Sequence, residues 1–187
     1  MYTFVLIARM QEYIASAIVL SRTPSSNSDS IFTLYTKELG KVRAKARSVR
    51  KITSKLAAHL TVSTLATVRL VGGNSGFQIV DALKEKTVQY PPPTLSLLAE
   101  LLPEQDANTQ LWSLLANTSP LSWKEVLTLI GWDPTHANCA SCGKSNPRFF
   151  LVRQTCFLCT QCVRRHHIDP SNTYDAIHLQ KTKVEVS

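Results

Sequence analysis

The chain has 187 residues, 44% of them hydrophobic, and a formal net charge of +8 at pH 7. This length and composition suit one ordinary domain or two to three small ones with real cores, and they exclude an intrinsically disordered chain. The longest apolar runs, such as FVLIA and AIVL, are far shorter than the roughly 18 residues that span a bilayer. The N-terminus lacks a cationic leader and a cleavage site, so we expect a cytoplasmic protein without a signal peptide.

Five short strands are predicted within residues 1–86. Apolar and β-branched residues cluster or alternate in five segments with turn-forming residues between them: 13–20, 31–40, 41–47, 60–73 and 77–83. Residues 1–9 are also apolar and form either an extra strand or an N-terminal extension before a second candidate start at Met10. Five strands with glycine-rich turns, such as GGNSG at 72–76, predict a small β-barrel or sandwich, and a five-stranded barrel is the OB-fold architecture.

Basic residues are concentrated in the third predicted strand and just beyond it. The segment from residue 37 to residue 55 carries a net charge of +7, because eight cations stand against one acid, Glu38. The cations are Lys37, Lys41, Arg43, Lys45, Arg47, Arg50, Lys51 and Lys55.

From residue 41 to residue 47 these cations alternate with Val42, Ala44 and Ala46. A period of two places the cations on one face of a strand and the small apolar side chains against the core. A cationic face attracts polyanions, nucleic acid first and an anionic membrane second. An alanine-rich helix and a merely solvated surface are the alternatives. Tyr35 and Phe77 are interpreted as core residues, with base stacking as the alternative.

The segment QYPPPT at 89–94 breaks the strand pattern, and short amphipathic helices are predicted after it at 95–102, 108–116 and 122–132. Ser122 and Glu125 form a capping-box pattern, and Gly131 suits a helix end. We interpret the leucine and tryptophan side chains here as core, with a partner groove as the alternative. The predicted domains are therefore a barrel at 1–86, a helical domain at 87–136 and a cysteine-containing element at 137–187.

Two CxxC pairs, Cys139 with Cys142 and Cys159 with Cys162, are separated by 16 residues. Two such knuckles joined by a hairpin present four thiolates, which is the donor set of a structural Zn²⁺ site with no open coordination position. Cys156 also forms a CxxC with Cys159, so ligation through that pair is the alternative.

Other residues near the cysteines are less consistent with metal binding or redox chemistry. His166 and His167 are surplus to a four-thiolate site, although RRHH at 164–167 adds charge beside it. A thioredoxin-like redox pair lacks its βαβ context. The sequence contains no Walker loop, GxGxxG, GxSxG or HExxH pattern, so an enzyme is not expected.

These segments, in this order, resemble the RecO family of bacterial recombination mediators. The resemblance covers residues 13–165 and is carried by SAIVLSR, IFTLYTKELGKVRAKARSVRKITSKL and LIGWDPTHANCASCG, followed by the second CxxC. It is most specific in the T-K-x-x-G-K…A-R…R…S-K-L pattern at 36–56 and in the G-W-x-P approach to the first cysteine pair at 131–142. It implies an N-terminal OB domain, a helical domain and a four-cysteine zinc element.

The resemblance also implies a function. Members bind single- and double-stranded DNA, anneal complementary strands, contact the C-terminal tail of single-strand-binding protein and work with RecR to load RecA, without catalytic turnover. They act in the bacterial cytoplasm, associated with the nucleoid.

Two departures from the family pattern are visible. The helical segment is short, and Thr155 and Cys156 stand where the family usually has glycines. The shortened helical surface affects the contact with single-strand-binding protein more than it affects DNA binding. An RNA-binding or ribosome-associated zinc-ribbon protein, an interaction adaptor and a nuclease are the alternative functions.

Overall fold

The computed structural model describes residues 11–73, 76–117, 121–168 and 173–175. Residues 1–9 and the centre of the GGNSG turn, for which predictions were made above, lie outside the described residues. The chain divides into two compact units, Met1–Ser119 and Pro120–Ser187. Among the described residues, no helix is long and apolar enough to cross a membrane.

Five strands of the first unit close into a barrel in the order β1-β2-β3-β5-β4. They are β1 (Gln11–Pro24), β2 (Ser30–Thr36), β3 (Gly40–Ala46), β4 (Thr64–Gly73) and β5 (Gly76–Thr87). Neighbouring strands are antiparallel except for β3 and β5, which run parallel. The five predicted strands are confirmed, although β1 and β5 are longer than predicted and β4 begins later. The basic segment forms a strand and not a helix.

The interior of the barrel is filled largely by small side chains. Val42, Ala44 and Ala46 of β3 are all buried there, as the alternating pattern predicted. Val49 and Leu60 from the loop after β3 join the same cluster, which ties that loop to the barrel. The alanines of this core are Ala15, Ala17, Ala44, Ala46, Ala66 and Ala82.

Two helices complete the described part of the first unit, α1 (Pro92–Leu101) and α2 (Thr109–Asn117). The prolines that break the strand pattern begin α1, since proline is tolerated in the first turn, where an N–H has no helical partner. Helix α1 packs on β1 and β2. Tyr90 and Lys86 donate hydrogen bonds of 3.0 Å to the carbonyls of Leu115 and Ala116, so the barrel side supplies donors to the C-terminal end of α2.

The second unit contains α3 (Trp123–Leu129), α4 (Thr160–Arg165) and a three-stranded sheet in the order β7-β6-β8. Its strands are β6 (Phe149–Leu151), β7 (Cys156–Leu158) and β8 (Thr173–Asp175). The Ser122 hydroxyl accepts a hydrogen bond from the Glu125 N–H, which confirms the predicted cap of α3. Gly131 has φ +88° just after the helix, as its predicted role at the helix end requires.

The residues after Gly131 lead from α3 to the first cysteine pair. The Trp132 N–H closes the helix end with a 2.7 Å hydrogen bond to the Leu127 carbonyl. Its ring packs against Phe150 of β6, with 6.0 Å between the ring centroids. The Asp133 carboxylate accepts bonds from the Thr135 hydroxyl and N–H, and these bonds lower its pKa to about 2. The G-W-x-P segment is thus a structural connection.

Candidate nucleic-acid interface and metal centre

The outer face of the β2–β3 hairpin has a covered end and an open end. In the register of the hairpin, Tyr35 is opposite Lys41 at one end, and Ile31 is opposite Lys45 at the other. Tyr35 and Lys41 are buried, whereas Lys45 is exposed. The cations of β3 therefore share one face of the strand but do not share one environment.

Lys41 belongs to the covered end, and the prediction that it lines a solvent-facing row of cations is wrong. Its side chain is only 9% exposed, and its Nζ donates a 3.0 Å hydrogen bond to the carbonyl of Ala99 in α1. Within a helix that carbonyl would accept from the N–H four residues later, but position 103 is a proline. Lys41 supplies the missing donor, and Glu104 balances its charge at 3.4 Å.

The glycine before Lys41 serves the same contact. Gly40 has φ +67°, and a methyl group at this position would overlap the backbone of Asp106. The Gln105 N–H donates a 2.8 Å hydrogen bond to the Lys41 carbonyl, so the chain after α1 runs directly against the start of β3. The glycine–lysine pair of the T-K-x-x-G-K pattern therefore holds the segment after α1 on the barrel.

The open end and the loop after it carry a series of exposed cations along the chain, which we call the basic track. It begins on β3 and continues into the loop 47–63: Arg43, Lys45, Arg47, Arg50, Lys51 and Lys55. Lys37, the remaining predicted DNA-binding residue, is exposed in the turn before β3, at the opposite end of the strand. Of the eight predicted cations, the track holds six.

An acid that the sequence analysis missed lies beside the track. The Asp29 carboxylate accepts a 2.7 Å bond from the Ser48 N–H, and its other oxygen is 2.9 Å from Nζ of Lys45. The Ser48 bond first, and then the contact with Lys45, lower the pKa of Asp29 below its ordinary value of 3.8. Because Asp29 comes from the preceding loop, it was absent from the charge count over residues 37–55.

The two aromatic residues considered for base stacking both pack against other side chains of the protein. Tyr35 is fully buried and stacks on Trp112 of α2, with 6.3 Å between ring centroids. Burial is the main cause that raises the pKa of its hydroxyl. Phe77 is half-buried, packs against the barrel core and meets Tyr13 edge-on. The interpretation of both as core residues is confirmed.

The four predicted ligand cysteines come together in the second unit. The sulfurs of Cys139, Cys142, Cys159 and Cys162 all lie within 4.8 Å of one another. Cys142 Sγ and Cys159 Sγ are 3.7 Å apart, close to the sulfur–sulfur edge of about 3.8 Å in a tetrahedron with Zn–S bonds of about 2.3 Å. The antiparallel pair β6–β7 joins the two knuckles, as predicted. This donor set can hold a metal ion.

The thiols of this cluster also affect one another's ionisation. Burial opposes ionisation of Cys139, but the N–H groups of Cys159, Cys142 and Ser141 outweigh it and lower the Cys139 pKa to about 6. At Cys142 the Lys144 N–H favours the thiolate, yet the neighbouring sulfurs dominate and raise the pKa to about 11. Four thiolates at these distances repel one another, and a divalent cation at their centre removes that repulsion.

The surplus residues of the cysteine segment lie outside this cluster. Cys156 is partly buried at the start of β7, and burial together with the nearby Cys139 raises its pKa. The structure therefore favours Cys162 over Cys156 as the fourth ligand. His166 Nε2 lies 2.9 Å from the Ser141 hydroxyl, so this ring supports the first knuckle without ligating.

Known proteins match both the barrel and the longer chain. The family described as "Recombination protein O N terminal" matches residues 10–84. DNA repair protein RecO of Thermodesulfovibrio yellowstonii is 25% identical over 186 residues, covering 85% of this chain and 73% of that protein. RecO of Listeria welshimeri is 26% identical over 190 residues, covering 87% and 74%. RecO of Alkaliphilus metalliredigens is 28% identical over 177 residues, covering 81% and 71%. The barrel residues therefore match the RecO N-terminal family, and the longer chain is similar to RecO proteins.

The region matched by the family model contains most of the barrel residues described above. Residues 10–84 include the β2–β3 hairpin, the basic track and the glycine–lysine pair, whereas α1 and the four-cysteine cluster lie beyond them. Two contacts that sequence analysis could not find, Lys41 to Ala99 and Lys45 to Asp29, link residues distant in sequence. Pro103 was the one local signal of the first contact, because a proline just after a helix leaves a carbonyl without a donor.

Proposed function

We propose that this chain is a member of the RecO family and a DNA repair and recombination protein that works without catalytic turnover. It binds single- and double-stranded DNA through the basic track and brings complementary strands together for annealing. With RecR it assists the loading of RecA on DNA. A contact with the C-terminal tail of single-strand-binding protein belongs to the same proposal, on the strength of the family resemblance.

The observation that carries the proposal is the basic track. Its six cations are exposed, and the nearby acid Asp29 is held by the Ser48 N–H and paired with Lys45. Such a surface follows a phosphodiester backbone with little sequence preference, because phosphate contacts position a strand but do not read its bases. A cationic surface that holds two strands lowers their repulsion and raises their encounter rate.

We further propose that the barrel is an OB fold. The closed order β1-β2-β3-β5-β4 supports this assignment. OB folds bind oligonucleotides on the outer face of their second and third strands, which is where the basic track begins. The proposed division at 1–86, 87–136 and 137–187 separates this barrel from the helices, although α1 and α2 belong to the same compact unit as the barrel.

The metal proposed for the four cysteines is Zn²⁺. Two CxxC knuckles with sulfurs at tetrahedral spacing are typical of structural zinc, and four thiolates leave no open position for a substrate. The ion would join the two knuckles and the β6–β7 hairpin, so we assign it a role in folding the second unit.

Strand annealing tests the proposal. Two complementary oligonucleotides, bare or coated with single-strand-binding protein, are mixed with the zinc-loaded protein over a salt series, and duplex formation is followed. The test variant reverses two track charges, R43E with K51E. Its matched control, K84E with K124E, reverses two exposed lysines outside the track. We expect salt-sensitive acceleration by the wild type and the control, and its loss in the track variant.

The other outcomes are equally informative. Acceleration on bare strands only would remove the contact with single-strand-binding protein from the proposal. Equal annealing by the track variant and the control would show that the basic track does not carry the annealing activity. Tighter binding to structured RNA than to either form of DNA would favour an RNA-binding function, and metal-dependent cleavage of the oligonucleotides would reveal a nuclease.

A further inference from the structure

The loop that continues the basic track has an apolar residue at its apex. Ile52 is 106% exposed, the highest value among the exposed large hydrophobic side chains of the described residues. It follows Lys51 in a turn that is closed by a 3.0 Å hydrogen bond from the Ser54 N–H to the Lys51 carbonyl. The hydrophobic cost of this exposure is not offset by any contact within the described protein.

A single exposed isoleucine is ordinary on a protein surface, and Ile14 is such a case. Ile14 is 71% exposed on β1, and it lies on the same barrel face as the ion pair between Glu12 and Arg69. Ile52 differs because no acid occurs between residues 47 and 55, so its chain neighbours bear only positive charge. Such surroundings disfavour a basic or neutral protein partner and favour a polyanion.

The base of this loop is held in place, so the position of Ile52 is defined. The Arg50 guanidinium donates a 2.6 Å bond to the Ser25 carbonyl, and its N–H donates one of 3.0 Å to the Ser28 carbonyl. Val49 is buried in the barrel core beside these bonds. The loop therefore presents its apex on a fixed support.

We propose that Ile52 is a wedge that inserts between adjacent bases of a DNA strand held by the basic track. This inference rests on the proposed function. Apolar side chains inserted between base steps are a known means of opening the stack, and the phosphate contacts beside them offset the cost of unstacking. Lys51 and Lys55 are placed to make those contacts, since they flank Ile52 in the chain and are exposed. The wedge gives the track a contact to bases that it otherwise lacks.

The test uses a single-stranded oligonucleotide that contains a fluorescent adenine analogue whose emission is quenched by stacking. Wild-type protein is expected to raise the emission on binding. In I52A the rise is lost and the affinity falls about five- to tenfold, because most of the apolar contact is removed. The salt dependence of binding stays the same, because the phosphate contacts remain. I52L keeps both the rise and the affinity, and I14A is the control that matches wild type.

Three results would overturn the wedge. The emission and affinity of I52A could equal those of wild type, or wild type could bind with normal salt dependence without raising the emission. In the third, I52A would bind DNA normally but lose binding to phosphatidylserine vesicles, which would make Ile52 a membrane contact. In all three the proposed DNA binding stands. Absence of any salt-dependent DNA binding by wild type would instead refute the proposed function itself.

Discussion

Lys41 and Arg43 lie on the same face of the same strand, yet replacing each with methionine should have different effects. The change should lower the stability of the protein at position 41 and weaken DNA binding at position 43. K41M keeps most of the buried aliphatic chain but removes the amine, which leaves the Ala99 carbonyl without a donor. A buried acceptor without a partner costs about 1–3 kcal/mol. K41A also removes the buried stem and should cost about 2 kcal/mol more. R43M removes an exposed cation, so its free energy of unfolding should change by no more than about 0.5 kcal/mol.

Two measurements on the zinc-loaded protein separate these effects. Urea unfolding followed by circular dichroism gives the free energy of unfolding, and titration of single-stranded DNA over a salt series gives the affinity and its salt dependence. K41M should be less stable but bind DNA with the wild-type salt slope. R43M should be stable but lose about 0.7 from the slope of log affinity against log salt. A K41M protein with wild-type stability and weakened DNA binding would refute the role that we give to Lys41.

Three further predictions address the turn, the metal and the acid beside the track. G40A should destabilise the protein by roughly 2 kcal/mol or more in urea, whereas G73A, where a methyl group meets open space, should not; equal stability would refute the close approach at Gly40. C142S should lose bound zinc in a metal assay and C156S should retain it; the reverse result would make Cys156 a ligand. The lowered pKa of Asp29 contributes stability that is present above the unfolded-state pKa of about 3.8 and is lost as pH falls through the lower folded value. D29N should therefore be less stable than wild type at pH 7, the difference should shrink below about pH 4, and a constant difference would exclude the carboxylate charge as its cause.

The elements that the sequence predicted well are those with local signals. The alternation around Val42 and Ala44 reports a half-buried strand, and Ser122 with Glu125 reports a helix start, because both patterns are read within a few residues. The cysteine cluster was equally predictable, since each CxxC can offer two sulfurs to one ion and a short hairpin unites the pairs. The sequence favoured Cys162 and left Cys156 as the alternative, because each forms a CxxC with Cys159. The fold places Cys162 on the first turn of α4, where its sulfur joins the other three.

The basic strand β3 shows what local sequence patterns cannot predict. Period-two alternation places Lys41 and Arg43 on one face, but it says nothing about what covers that face. Lys41 is covered for two reasons. Pro103 lacks the N–H that would bond to the Ala99 carbonyl, and Gly40 lets the backbone of Asp106 approach the start of β3. A lysine is suited to fill this gap, because its long apolar stem can be buried while its amine reaches a carbonyl. The same lysine that adds to the positive charge of the segment therefore joins a helix to the barrel, and the exposed basic track begins only at Arg43.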